Sequence, residues 1–104
     1  MGNYRRRLDI IADILYVVSG NARKTQVMYQ ANLSYRILQK YLAELTGASL
    51  ISYDDARRCY VLTDKGRVFL DRYNEYSTVN SQMEKRLSDA REKKSSLEKL
   101  CSSK

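Results

Sequence analysis

Residues 24–45, KTQVMYQANLSYRILQKYLAEL, decide how the rest of the chain is read. Their spacing predicts two short helices joined by a tight turn. The first, residues 24–30, carries Val27 and Met28 on one side, with Ala31 just beyond. Leu33 then enters the core. Ser34 is an N-cap candidate, because its hydroxyl can accept from a backbone N–H that the helix itself leaves unpaired. The second helix, residues 35–46, sets Ile37, Leu38, Tyr41, Leu42 and Leu45 on one stripe at helical spacing. Its other face shows Tyr35, Arg36, Gln39, Lys40 and Ala43. An apolar back with a front of Tyr, Arg, Gln and Lys suits the second element of a helix-turn-helix, lodged in a DNA groove. A solvated face on an ordinary helical domain would show the same pattern.

Upstream, Leu8, Ile11, Ala12, Leu15 and Val18 recur at three- and four-residue steps, and Ile10, Ile14 and Val17 widen the stripe. A helix over residues 5–19 is expected, covered on two sides by the next two helices. Arg5, Arg6 and Arg7 open it, as phosphate contacts or as a solvated terminus. Gly20-Asn21 reads as its C-cap. Arg23, Lys24 and Thr25 begin the second helix, where side-chain charge and unpaired N–H groups together favour a phosphate.

Downstream, Gly47-Ala48-Ser49 breaks the helical pattern. Residues 50–53 and 59–62 read as short strands rich in β-branched and aromatic residues. Asp54-Asp55-Ala56-Arg57-Arg58 makes the tip between them. Three helices and then a β-hairpin is the winged-helix order. Arg57 and Arg58 could reach a minor groove or its phosphates, whereas Asp54 and Asp55 argue for a wing of balanced charge. Thr63 then caps a last helix, with Asp64 well placed in the first turn.

From Phe69 a heptad runs on. Phe69, Tyr73, Tyr76, Asn80, Met83, Leu87, Ala90, Lys94, Leu97 and Cys101 step alternately by four and three. That register is a coiled-coil signature. At 1.5 Å per residue the segment is about 50 Å long, too long for a small head to cover, so a second chain is expected. In a parallel pair Lys94 would meet Lys94 in the seam, which is costly once desolvated. An antiparallel pair centred near Lys85 instead sets Phe69 with Cys101, Tyr73 with Leu97, Tyr76 with Lys94, Asn80 with Ala90, and Met83 with Leu87. Large residues then oppose smaller ones, and Lys94 lays its stem and charge over Tyr76. Antiparallel pairing would put the two heads at opposite ends of a rod, which suits clamping, bending or bridging DNA. Parallel pairing would set them side by side, as for a palindrome read in adjacent grooves.

Composition agrees. The 104 residues fit one domain of residues 1–65 plus a dimerisation helix of residues 66–104. The net charge is +7 and the pI about 9.5. Within the first forty residues, Arg5, Arg6, Arg7, Arg23, Lys24, Arg36 and Lys40 face only Asp9 and Asp13. A basic surface favours a polyanion, because neutralised phosphates release condensed counterions. Anionic membranes or acidic proteins would satisfy the charge as well. With no histidine and two isolated cysteines, Cys59 and Cys101, neither a zinc site nor a disulfide framework is expected. No apolar run approaches a membrane span, and no signal peptide is recognised. A reducing, cytoplasmic and nucleoid-associated setting is the simplest expectation. No carboxylate, tyrosine or cysteine clusters with a nucleophile or a Gly-rich phosphate loop, so no enzyme, cofactor, metal or small-molecule substrate is expected.

LDIIADIL, ARKTQVMYQANLSYRILQKYL and YVLTDKGRVFL together resemble the archaeal winged-helix proteins typified by the small, basic, dimeric ten-kilodalton DNA-binding proteins of Sulfolobales. The likeness covers residues 8–70, and KTQVMYQANLSY is its most specific part. It implies a mainly α fold with a β wing, and a C-terminal helix pairing as an antiparallel two-stranded coiled coil in a homodimer. It also implies a chromatin-associated role on double-stranded DNA, with Lys24, Thr25, Ser34, Tyr35, Arg36, Gln39, Lys40 and the wing as contacts. The chain departs at residues 45–50, LTGASL, where many winged helices have a charged helix end and a glycine directly before the strand. The expected function is a largely sequence-tolerant, architectural DNA-binding protein. A sequence-specific repressor and a winged-helix protein-interaction module are the alternatives.

Overall fold

The structure is a computed structural model that describes residues 5–102. Its elements run α1 (Arg7–Val18), α2 (Lys24–Gln30), α3 (Tyr35–Gly47), β1 (Ile51–Asp54), β2 (Cys59–Leu62) and α4 (Asp64–Leu100). The chain divides into two compact units between Tyr73 and Asn74. The first unit is a winged helix, and the second continues as helix to Leu100.

The head is built around one small core. Ile14, Leu15 and Val18 of α1, Val27 of α2, Leu38 and Leu45 of α3, and Ile51 of β1 are fully buried. Each such side chain removed from water contributes roughly 1.5–3 kcal/mol, which is what orders a unit this short. Three of the five apolar positions expected on α3, namely Leu38, Leu42 and Leu45, are buried. Tyr41 is half-buried, and Ile37 is instead exposed, as is Leu8 on α1. Both sit at the margins of stripes wider than the small core can cover.

The helix ends follow local chemistry. Ser34 caps α3 by accepting from the Ile37 N–H at 3.3 Å. Thr63 caps α4 by accepting from the Gly66 N–H at 3.0 Å. After α1 the left-handed residue is Asn21, at φ 61°, rather than Gly20; asparagine tolerates this conformation better than most residues. Two of the three opening arginines are engaged within the head. Arg5 donates to Asp13 Oδ2 at 2.7 Å and to the Ala31 and Asn32 carbonyls at 2.8 and 3.0 Å, tying α1 to the end of α2. Arg7 grips the Glu44 carboxylate of α3 with both terminal nitrogens.

β1 and β2 pair antiparallel, with Ile51 opposite Leu62 and Tyr53 opposite Tyr60. Ala22 adds a bridge on the other side of β2, through Ala22 N to Tyr60 O at 3.1 Å and Tyr60 N to Ala22 O at 2.7 Å. The wing is thereby fastened to the start of α2. The departure at residues 45–50 has a clear structural solution. Ser49 turns the chain left-handed at φ 63°. Thr63 Oγ1 then shares its one proton between the Ser49 and Leu50 carbonyls, at 2.6 and 2.9 Å, while Lys65 Nζ donates to the Ala48 carbonyl at 2.7 Å. The side chains of Thr63 and of Lys65 in the first turn of α4 thus close the turn at Ser49. Gly66 is where a side chain cannot go, since a Cβ there would lie 2.2 Å from the Leu50 carbonyl oxygen.

The first turns of α4 belong to the head. Leu70 is buried in the core, and Phe69 and Tyr73 pack half-buried against it, their rings stacked at 6.4 Å. The Tyr73 hydroxyl donates to Asp9 Oδ1 of α1 at 2.5 Å. Phe69 and Tyr73, expected in the seam, thus pack against the head within the single chain. Heptad spacing could not separate the two, since a stripe that meets a core and a stripe that meets another chain look alike.

Candidate nucleic-acid interface

Five backbone features set the candidate face: the Ser34 cap, the exposed front of α3, the start of α2, the bridge at Ala22 and the β1–β2 tip. On α3, Tyr35, Arg36, Gln39 and Lys40 are all exposed. The apolar back of the helix is held by the core, so the front is left to solvent. At the start of α2, Lys24 Nζ donates to the Tyr35 hydroxyl at 3.2 Å and lies 4.7 Å from the centre of that ring. The ammonium is thus held beside the N-terminus of α3 by both a hydrogen bond and the ring's quadrupole.

The wing resolves into two roles. Asp54 Oδ1 accepts from the Ala56 and Arg57 N–H groups at 3.0 and 3.3 Å, which shapes the turn. Its other oxygen lies 3.8 Å from Arg57 Nε, so part of the Arg57 charge is offset within the tip. Arg58, left-handed at φ 52°, lines a cleft together with Arg23, Lys24, Thr25, Tyr53 and Tyr60. Four residues expected from the sequence to hold phosphates, Arg23, Lys24, Thr25 and Arg58, therefore share one concave surface with no carboxylate lining it. Arg36, Gln39 and Ser34 do not line that cleft. Lys40 lines another, with Arg7, Ile10, Ile37, Tyr41 and Glu44.

Two pairs escaped the sequence reading. Tyr53 and Tyr60 face each other across the strands, with ring centres 5.0 Å apart and planes at 64°. Their opposition on one face follows from a register that the strand boundaries alone did not supply. The other pair is Arg7–Glu44. Glu44 is the sole acid within α3 and would repel a polyanion. The Arg7 guanidinium holds its carboxyl below the usual range, first by hydrogen bonding and then by charge, and Arg7 is raised in turn. No sequence pattern links residues this far apart. Elsewhere, the Tyr73 hydroxyl and then the Arg6 backbone N–H hold Asp9 below the usual carboxylate range. Among the described residues no cluster of His, Cys, Asp and Glu could hold a metal, and no helix is long and apolar enough to cross a membrane.

Three helices, a two-stranded wing docked on the start of α2, and a capped third helix with a polar front define a winged helix-turn-helix protein. The chain belongs to that family, whose model matches residues 4–81. It is also similar to the crystal structure of Sso10a-2, a DNA-binding protein from Sulfolobus solfataricus. The identity is 28%, the match spans 89% of this chain and 96% of that one, and the TM-score is 0.68. This agrees with the resemblance to the Sulfolobales winged-helix proteins. No curated protein matches the chain.

Proposed function

We propose that this protein is a homodimeric, largely sequence-tolerant binder of double-stranded DNA. In this account Tyr35, Arg36, Gln39 and Lys40 of α3 enter the major groove. Arg23, Lys24, Thr25 and Arg58 hold phosphates on either side of it, and Arg57 adds a weaker contact. The observation that carries the proposal is the convergence of Arg23, Lys24 and Arg58 in one acid-free cleft beside the exposed front of α3. Phosphate contacts of this kind position a protein on the duplex without reading its sequence. The DNA-binding Sso10a-2, similar over most of both chains, supports the same function.

Dimerisation is proposed from the second unit. Met83, Leu87 and Leu97 are 62%, 54% and 65% exposed in the single chain. With Phe69 and Tyr73 assigned to the head, the antiparallel seam keeps its inner layers: Tyr76 with Lys94, Asn80 with Ala90, and Met83 with Leu87. Leu97 and Cys101 lose their expected opposite numbers and lie toward the ends. A dimer gives two grips on DNA, which fits an architectural, chromatin-associated role.

A sequence-specific repressor remains the second proposal, favoured by the exposure of Arg36 and Gln39. Arg can bond guanine and Gln can bond adenine in a bidentate manner. Competition between random DNA and duplexes selected for binding separates the two. One sequence winning by about a thousandfold or more would overturn the architectural account. Joint Arg36→Ala and Lys40→Ala substitution should lower DNA affinity while the dimer persists. Unchanged affinity would show that α3 is not the reader.

A further inference from the structure

The geometry points to a second mode of binding at the cleft between α2 and the wing: it takes an unpaired nucleotide of DNA, its phosphate on Arg23, Lys24 and Arg58 and its base stacked on Tyr53. The inference rests on the DNA-binding account above and adds to it a ligand that a fully paired duplex does not offer.

Three features of the cleft carry it. Its volume is about 440 Å³, inside the range of roughly 300–1,000 Å³ usual for sites that hold small molecules. Its lining joins three cations, one hydroxyl and two tyrosines, with no carboxylate. A nucleotide presents the complementary set, an anion joined to a flat ring. Phosphate contacts alone would need the cations but not the aromatic wall.

Tyr53 is suited to the second part. It is 46% exposed, so part of the side chain is open to a ligand. Its ring is braced by Tyr60, and the backbone of Tyr60 is bonded in turn to Ala22 beside Arg23. The stacking ring and the backbone that leads into Arg23 are therefore held before a ligand arrives, so less freedom is lost on binding.

Pairing decides which DNA can use it. Inside a duplex both faces of a base are stacked on neighbours, so no side chain can lie against them. A bulged or extruded base has a free face, and stacking on an aromatic ring tolerates any of the four bases. An unpaired base also costs least to turn outward. The preference is therefore for a local defect rather than for a sequence.

The test uses the full chain and two labelled duplexes of identical sequence, one fully paired and one with a single unpaired thymidine at its centre. Their affinities are measured side by side by fluorescence anisotropy. The expected result is tighter binding of the bulged duplex by about fivefold or more. Tyr53→Leu should bring the ratio of the two affinities to one, and Tyr53→Phe, which keeps the ring, should preserve it. Equal affinity of the wild type for both duplexes would overturn the inference and leave duplex binding intact. A ratio unchanged in Tyr53→Leu would overturn it as well. Binding to neither duplex would overturn the DNA-binding account itself.

Discussion

Replacing Tyr73 with phenylalanine removes one oxygen and keeps the ring. The hydroxyl donates to Asp9 Oδ1 at 2.5 Å, while the ring lies against the core and stacks on Phe69. A hydrogen bond to a charged group contributes about 1.5–3 kcal/mol. Asp9 is only half-buried and keeps its bond from the Arg6 N–H at 3.2 Å, so water and Arg6 offset part of the loss. The expected cost at neutral pH is about 1–2 kcal/mol. In a unit of this size each kcal/mol lowers Tm by about 4–8 °C. The effect also has a direction in pH. The hydroxyl bond holds the Asp9 carboxyl below its usual range. Its contribution is therefore complete above the unfolded value of about 3.9, and is lost as pH falls through the lower folded value. Urea denaturation of wild type and Tyr73→Phe, at one protein concentration and at pH 7 and pH 2.5, measures both. The gap should be present at pH 7 and smaller at pH 2.5. A neutral substitution, or a gap equal at both pH values, would refute the assignment of Tyr73 to the head. A weaker dimer with an unchanged head would return Tyr73 to the seam.

Two further outcomes follow from the packing and from the seam. Gly66→Ala puts a methyl group 2.2 Å from the Leu50 carbonyl oxygen, which is backbone and can give way only by moving the wing. A loss of about 2–3 kcal/mol is expected in chemical denaturation, and a loss below 0.5 would show that the turn at Ser49 is loose. In a Cys59→Ser variant, mild oxidation should leave the exposed Cys101 largely uncrosslinked within the dimer, as read on a non-reducing gel. Efficient crosslinking independent of concentration would favour the parallel coil.

The head was legible because its signals are local. Ser34 and Thr63 announce their helices by side-chain chemistry that needs only three following residues. The strand at residues 59–62 and the helix at residues 24–30 matched because each is bounded by polar turns. What the sequence hid was longer in range. Arg5 and Arg7 looked free because their partners lie far along the chain, Ala31 and Asn32 in the turn after α2 and Glu44 on α3. Phe69 and Tyr73 continued the heptad arithmetically, and only the location of α1 showed what they pack against. For the candidate interface, the cations were found by charge. The aromatic wall of Tyr53 and Tyr60 was not, because aromatic residues in a strand are ordinary until their register and exposure are known.

Phosphates supply most of the grip in the proposed complex. Arg23, Lys24 and Arg58 are the three cations per head proposed to hold phosphates. At about −0.9 per neutralised phosphate, log affinity should fall against log salt with a slope near −2.7 for one engaged head, roughly a 40-fold loss between 50 and 200 mM. The most direct measurement is the affinity of the full chain for random double-stranded DNA across that range. A slope of about −2.5 or steeper is the predicted result. An affinity that barely changes would contradict the account and point to a face made for another protein.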